Sequence, residues 1–215
     1  MKKYDVIIFD LDGTLSDSGE GITKSVQYAL EKFNILEDNL DNLKHFVGPP
    51  LKAEFMKSYY LTEEQGAEAV KFYRERYIPT GIYETSLYKG VRELLEKLKA
   101  DGKIIAIATS KPHPLAEEVL KFLNIENYFD FVMGADMIGG KQSKEDVLNA
   151  LLEVLPIKDK SQMIMVGDTS FDVLGAAAVG IGCIGVTYGY GDKNEMSECG
   201  AIAVVDTALE LLEHI

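Results

Sequence analysis

The chain has 215 residues, 47% of them hydrophobic and 27% charged, with a formal net charge of −13. That length supports one ordinary domain with a modest insertion, and the negative balance opposes approach to phosphate polymers or anionic membranes. No apolar run reaches the roughly 20 residues that span a bilayer, and no secretory start is visible, so the expectation is a soluble, cytoplasmic protein without nucleic-acid or membrane partners.

Tyr4 to Phe9 is an almost unbroken apolar run, the pattern of a strand buried on both faces, and it ends in Asp10-Leu-Asp12-Gly-Thr. Helical spacing appears next at Ile22, Val26, Ala29, Leu30 and Phe33, and again at Leu51, Phe55, Met56, Tyr59 and Tyr60. Thr62-Glu-Glu-Gln65 has the form of a capping box and opens a helix carrying Val70, Tyr73 and Tyr77, which stops near Pro79. Tyr59, Tyr60, Tyr73 and Tyr77 read as core of this helical block. Gly48-Pro-Pro50 marks a rigid turn.

From Val91 the pattern alternates. A helix (Val91 to Leu98) precedes a strand (Ile104 to Thr109), a helix (Leu115 to Leu123), a short strand (Phe129 to Met133) and a helix (Lys144 to Leu155). A strand (Met163 to Gly167), a helix from about Asp172, a strand (Ile181 to Val186) and a last strand and helix from Ile202 complete the chain. Such alternation implies right-handed βαβ units and a parallel sheet. The predicted fold is therefore α/β, a Rossmann-like parallel sheet core of residues 1–16 and 82–215, interrupted by an all-helical insertion of residues 17–81. Cys183 and Cys199 read as two reduced thiols.

Ligands of a parallel sheet lie beyond the carboxyl ends of its strands. Asp10 and Asp12 stand there and repel each other, a cost that a hard divalent cation such as Mg²⁺ removes. Thr109-Ser110-Lys111 ends the second strand, where a hydroxyl and nearby N–H groups bind a phosphate oxygen. Ser143 is a natural N-cap, which puts Lys144 at the first helical position, where the helix dipole opposes a cation and an anionic partner is needed. Asp168 closes a further apolar strand, and Asp172 stands in the next turn, facing the same crevice. Each segment also has an ordinary reading: a strand-to-turn exit, common turn chemistry, a solvated lysine or a helix-start acid. Gly185-Val-Thr-Tyr-Gly-Tyr-Gly191 is either a rim of that crevice or a plain return loop.

Taken in order, Asp10-x-Asp12-Gly-Thr, Thr109-Ser110, Lys144 and Gly167-Asp168-x-x-x-Asp172 resemble the four motifs of the haloacid dehalogenase superfamily, and they cover nearly the whole chain. The helical block between the first two resembles the helical cap of its phosphoglycolate phosphatase and β-phosphoglucomutase branch. The resemblance implies an Mg²⁺-dependent phosphatase that hydrolyses a small phosphate monoester, phosphoglycolate-like in class, through an aspartyl-phosphate. It assigns Asp10 as nucleophile, Asp12 as acid and base, and Asp10, Asp12 (through its backbone carbonyl) and Asp168 as metal ligands. Thr109 or Ser110, with Lys144, would hold the phosphate oxygens, and Asp172 would orient Lys144 or a metal-bound water.

The chain departs from many relatives in the third motif, where Lys141 and Lys144 flank Gln142-Ser143 with no following proline. This resembles a subgroup in which the later lysine acts. The competing enzyme readings are a β-phosphoglucomutase-type sugar phosphomutase, for which Lys44 and Lys52 offer few cations to hold a bisphosphate, and a 5′-nucleotidase or pyrophosphatase. A phosphate-responsive binding protein is the non-enzyme reading. The expected partner is a small phosphorylated metabolite, and the expected assembly a monomer or homodimer.

Overall fold

The computed structural model describes residues 4–137, 140 and 143–215. The chain divides into two compact units, Met1–Asp17 with Leu87–Ile215, and Ser18–Ser86.

The first unit is built on six parallel strands: β1 (Val6–Phe9), β4 (Ile104–Pro112), β5 (Phe131–Ala135), β6 (Met163–Gly167), β7 (Gly182–Val186) and β8 (Ala203–Val205). Their order is β5-β4-β1-β6-β7-β8. Two short strands, β2 (Ser16–Asp17) and β3 (Ser86–Leu87), pair where the chain leaves and re-enters this unit. β1 is central, with Phe9 in register with Ile107 on one side and Val166 on the other. All four β1 residues are fully buried because helices cover both faces, so the strand reads as a continuous apolar run rather than an alternation. On one face Val6 and Ile8 pack in a cluster with Val147, Leu148, Leu151, Val173 and Ala176. Those residues come from α6 (Lys144–Val154) and α7 (Ser170–Ala178). The other helices of this unit are α4 (Val91–Ala100), α5 (His113–Phe122) and the short α8 (Lys193–Glu198). From β1 the chain fills one side of the sheet, β4 then β5, before crossing to β6, β7 and β8. The direction of winding thus reverses beside β1, which opens a crevice at the carboxyl ends of β1, β4 and β6.

The second unit holds α1 (Gly19–Glu31), a 3₁₀ helix (Leu40–Phe46), α2 (Leu51–Tyr59), α3 (Glu63–Tyr77) and a 3₁₀ turn (Gly81–Tyr83). α1 buries Ile22, Val26, Ala29 and Leu30, and α3 buries Ala69, Tyr73 and Tyr77. The Thr62 capping box forms: Gln65 N donates to Thr62 Oγ1 at 3.2 Å and Thr62 N to Gln65 Oε1 at 2.9 Å. A Cβ on Gly21 would lie 2.0 Å from the Gly81 carbonyl oxygen, so the helix and the turn after α3 pack backbone to backbone.

Several expectations shift. Tyr60 does not belong to the helix or to its core: α2 stops at Tyr59, and Tyr60 adopts a left-handed conformation with 92% of its surface exposed. β5 starts at Phe131 rather than Phe129, because the Asp130 carboxylate accepts from Ile105 N at 2.9 Å and ends the preceding turn there. α7 begins at Ser170, two residues before Asp172, since Thr169 and Asp172 cap it. The last helical segment is 3₁₀ (Ala208–Glu213), and α8 had no periodic apolar signal in only six residues.

Candidate active site

Asp10 is the residue after β1, and its N–H donates to the Val166 carbonyl at 2.9 Å, which extends the pairing with β6 by one step. Its side chain is thereby delivered into the crevice, 4% exposed. The chain then turns sharply. Leu15 and Ser16 N–H groups both bond the Leu11 carbonyl, and Gly13 sits at φ +86°. A Cβ on Gly13 would lie 2.1 Å from Asp168 Oδ2, so this position requires glycine for both conformation and space.

Lys144, the first residue of α6, is the hub of the site. Its Nζ lies 2.9 Å from Asp10 Oδ1 and 2.8 Å from Asp172 Oδ1, and donates to the Ala108 carbonyl at 3.0 Å. A cation at a helix N-terminus opposes the dipole, and two buried carboxylates offset that penalty. Gly175 in α7 makes room for it: a Cβ there would be 2.5 Å from Lys144 Cγ. Asp172 is fixed from its other oxygen, where Thr169 N and Oγ1 both donate to Oδ2 at 3.1 and 3.0 Å. Asp168, fully buried after β6, accepts from Thr14 Oγ1 at 3.0 Å and from Tyr190 N at 2.9 Å.

Asp12 faces a different partner. Its Oδ2 lies 2.8 Å from Lys111 Nζ, and its Oδ1 is buried with no hydrogen-bond partner among the described residues. Thr109 is buried and its Oγ1 accepts from Lys111 N at 3.2 Å, while Ser110 between them is half-buried. Lys141 lies outside the described residues.

The electrostatics follow from burial and crowding. Carboxylate oxygens of Asp10, Asp168 and Asp172 all lie within 4.8 Å of one another. Two of these three carboxylates, Asp10 and Asp172, share the Lys144 ammonium, and Asp168 lies beside them. Burial pushes the Asp10 carboxyl up to about 6 against the pull of Lys144, and Asp172 pushes the same way as burial. Asp168 is raised well above the usual carboxylate range, first by burial and then by Asp172 and Asp10. Burial works against the charge on Lys144, yet Asp10 and Asp172 together hold it above its ordinary value. A group of buried carboxyl oxygens at this spacing suits a hard divalent cation, whose charge would offset the burial and the crowding that raise Asp10 and Asp168.

The sequence matches the haloacid dehalogenase-like hydrolase family over residues 7–186. The chain belongs to the haloacid dehalogenase-like hydrolases. This hydrolase is 40% identical to a 5′-nucleotidase of Pseudomonas aeruginosa over 97% of its own length and 96% of the relative. It is 38% identical to the tyrosine-protein kinase PtkA of Mycobacterium tuberculosis, over 96% of its length and 72% of the relative. The crystal structure of a predicted phosphatase from Clostridium acetobutylicum superimposes with a TM-score of 0.95 at 41% identity, covering 98% of this chain and 97% of that one. This haloacid dehalogenase-like hydrolase is a phosphoric monoester hydrolase, and among the described residues no helix is long and apolar enough to cross a membrane.

The structure brings Asp10, Lys144, Asp168 and Asp172 into one cluster and sets Asp12 beside it with Lys111. Lys111, Thr14 and Tyr190 join the site without being singled out by the sequence patterns. Thr14 was visible as the last residue of Asp-x-Asp-Gly-Thr, and Lys111 as a cation at a strand end. Tyr190 carried no signal beyond its place in a glycine-bounded loop.

Proposed function

We propose that the chain hydrolyses a small phosphate monoester with Mg²⁺ through a phosphoryl group carried on Asp10. The observation that carries this reading is the Lys144 ammonium bound at once by Asp10 and Asp172, at 2.9 and 2.8 Å, beside a third buried carboxyl, Asp168. A carboxylate oxygen held beside a fixed ammonium attacks phosphorus in its ionised form, because the Lys144 charge works against the burial that favours the protonated acid. Asp10 attacks phosphorus and the alkoxide leaves. Asp12 delivers the proton to that alkoxide and later takes one from the water that cleaves the aspartyl-phosphate, one carboxyl group serving both half-reactions. Its free Oδ1 supports that role. Lys144 offsets charge on the equatorial oxygens, and Thr109 or Ser110 donates to one of them. Asp172 keeps Lys144 in place.

Asp10 and Asp168 would hold the cation, with the backbone carbonyl of Asp12 as a further oxygen, and Asp172 as the third member of the acid group. When bound, Mg²⁺ supplies positive charge that lets an anionic nucleophile and an anionic substrate meet. We read the helical unit, Ser18–Ser86, as the cap that selects the leaving group.

For the leaving group, the 5′-nucleotidase relative favours a nucleoside 5′-monophosphate, while the motif order by itself points to a phosphoglycolate-like substrate. A Mg²⁺ assay over 5′-nucleotides, phosphoglycolate, pyrophosphate and β-glucose 1-phosphate decides between them. A kcat/KM preference of at least about tenfold, near 1.4 kcal/mol, identifies the class. The kinase name of the mycobacterial relative makes the acceptor part of the same measurement. Free phosphate equal to the alcohol released identifies water; isomerised sugar phosphate or phosphotyrosine in its place overturns the hydrolytic reading.

A further inference from the structure

The loop after β7, Thr187–Gly191, is not used in the reaction above, yet it touches the acid group from several directions. Tyr190 N donates to Asp168 Oδ2 at 2.9 Å. The backbone of Gly189 lies flat against the turn after β1: a Cβ there would fall 2.3 Å from the Gly13 carbonyl oxygen and 2.4 Å from Asp168 Cβ. Both tyrosine side chains then tie the loop down. Tyr188 donates its hydroxyl to the Thr14 carbonyl at 3.0 Å, and Tyr190 donates its hydroxyl to Asp17. The Tyr88 ring packs on Tyr188 with centroids 4.8 Å apart.

These contacts converge on one carboxylate. Asp168 Oδ1 is held by Thr14, whose own carbonyl is held by Tyr188; Asp168 Oδ2 is held by the Tyr190 N–H, whose residue is held at Asp17. A buried carboxylate crowded by Asp10 and Asp172 is driven to rotate away from them, and donors on both of its oxygens prevent that. Outer groups that orient a ligand in this way commonly matter for metal affinity by about tenfold or more.

We propose that Thr187–Gly191 is a strap that positions Asp168 for a divalent cation, with Tyr188 and Tyr190 as its positioning residues. The proposal rests on reading Asp10, Asp168 and Asp172 as the cation-holding group. It differs from a merely structural loop in what its loss would change: cation affinity rather than substrate affinity.

The test is Mn²⁺ binding without substrate, read from the electron paramagnetic resonance of free Mn²⁺, on the full chain and on Tyr188→Phe and Tyr190→Phe. Each substitution removes one hydroxyl and keeps the ring. The dissociation constant is expected to rise about five- to tenfold in each variant. The Mg²⁺ concentration for half-maximal turnover should rise by the same factor, with KM for substrate at saturating Mg²⁺ within about twofold of the parent. Thr62→Ala, in the capping box of the other unit, serves as the control for lost stability and should leave Mn²⁺ affinity unchanged. Folded variants that bind Mn²⁺ within about twofold of the parent overturn the strap and leave the cation reading standing. Loss of the fold in both variants also overturns it, by making the loop a folding element. A parent chain that does not bind Mn²⁺ at all removes the cation reading itself, and the strap with it.

Discussion

At the scale of single residues, the chemistry depends on how the buried carboxylates beside Lys144 are neutralised. Asp10 and Asp172 share its ammonium, so removing it leaves two buried carboxylates facing each other and the incoming phosphate. Lys144→Ala is therefore expected to lower kcat/KM by roughly a hundredfold or more, about 3 kcal/mol of transition-state stabilisation. Steady-state kinetics on the best substrate of the panel checks this, and a variant within tenfold of the parent contradicts it. Asp10→Asn keeps size and shape while removing the attacking charge. Turnover should fall below about a thousandth of the parent with the circular dichroism spectrum unchanged; retention of a tenth of the activity rules out Asp10 as nucleophile. The residues behind both expectations were legible at different depths. Strand-then-acid patterns located Asp10 and Asp168, and helix-dipole reasoning required an anion beside Lys144. The pairing of Asp12 with Lys111 was not legible, because a one-dimensional pattern does not say which of several neighbouring strand ends a flexible lysine reaches.

At the scale of elements, local signals and long-range ones separate cleanly in the helical unit. The Thr62 capping box was readable because all its hydrogen bonds lie within four residues. Thr62→Ala should destabilise this unit by about 1 kcal/mol, measured by urea unfolding, through the lost bond to the Gln65 N–H. Arg76 illustrates the opposite case. It donates to both oxygens of Glu84 at 2.9 and 3.0 Å, and Lys24 joins them at 3.3 Å, a network built from α1, α3 and the segment before β3. The Arg76 hydrogen bonds hold the Glu84 carboxyl below its usual range against the effect of burial. A carboxyl with a depressed folded-state pKa adds stability above its unfolded value, 4.5, and loses it as pH falls through the lower folded value. Solvent screening limits the contribution to about 1 kcal/mol or less. Arg76→Ala should therefore be destabilising at pH 7, and the gap to the parent should close as the pH is taken well below 4.5. A gap that persists in strong acid assigns the effect to packing of the Arg76 stem instead.

At the scale of the whole molecule, the acid group lies in the larger of two compact units, which are expected to melt in two transitions. A cation that binds the native acid group stabilises by mass action, by about 2.7 kcal/mol at a hundredfold excess over its Kd. For a unit of this size that corresponds to roughly 5–10 °C. Calorimetry with and without Mg²⁺ should show the transition of the larger unit move upward while the other stays, and excess chelator should abolish turnover reversibly. A transition of the larger unit that does not move contradicts the assignment of the cation to Asp10, Asp168 and Asp172. The sequence by itself determined the parallel α/β architecture, because a strand buried on both faces must be continuously apolar and strands alternating with helices admit only right-handed crossovers. It also determined the helical insertion after β1 and the acids at the strand ends, since an apolar run shows where a strand stops and which residue stands at its carboxyl end. Tertiary structure alone decided how those acids share their partners. Asp10 and Asp172 are 162 positions apart in the chain yet meet on one ammonium, and Asp168 is held by Thr14 and Tyr190, on the two sides of it in sequence. Such partnerships depend on the order of strands in the sheet and on the space that Gly13, Gly175 and Gly189 leave open, neither of which any local pattern encodes.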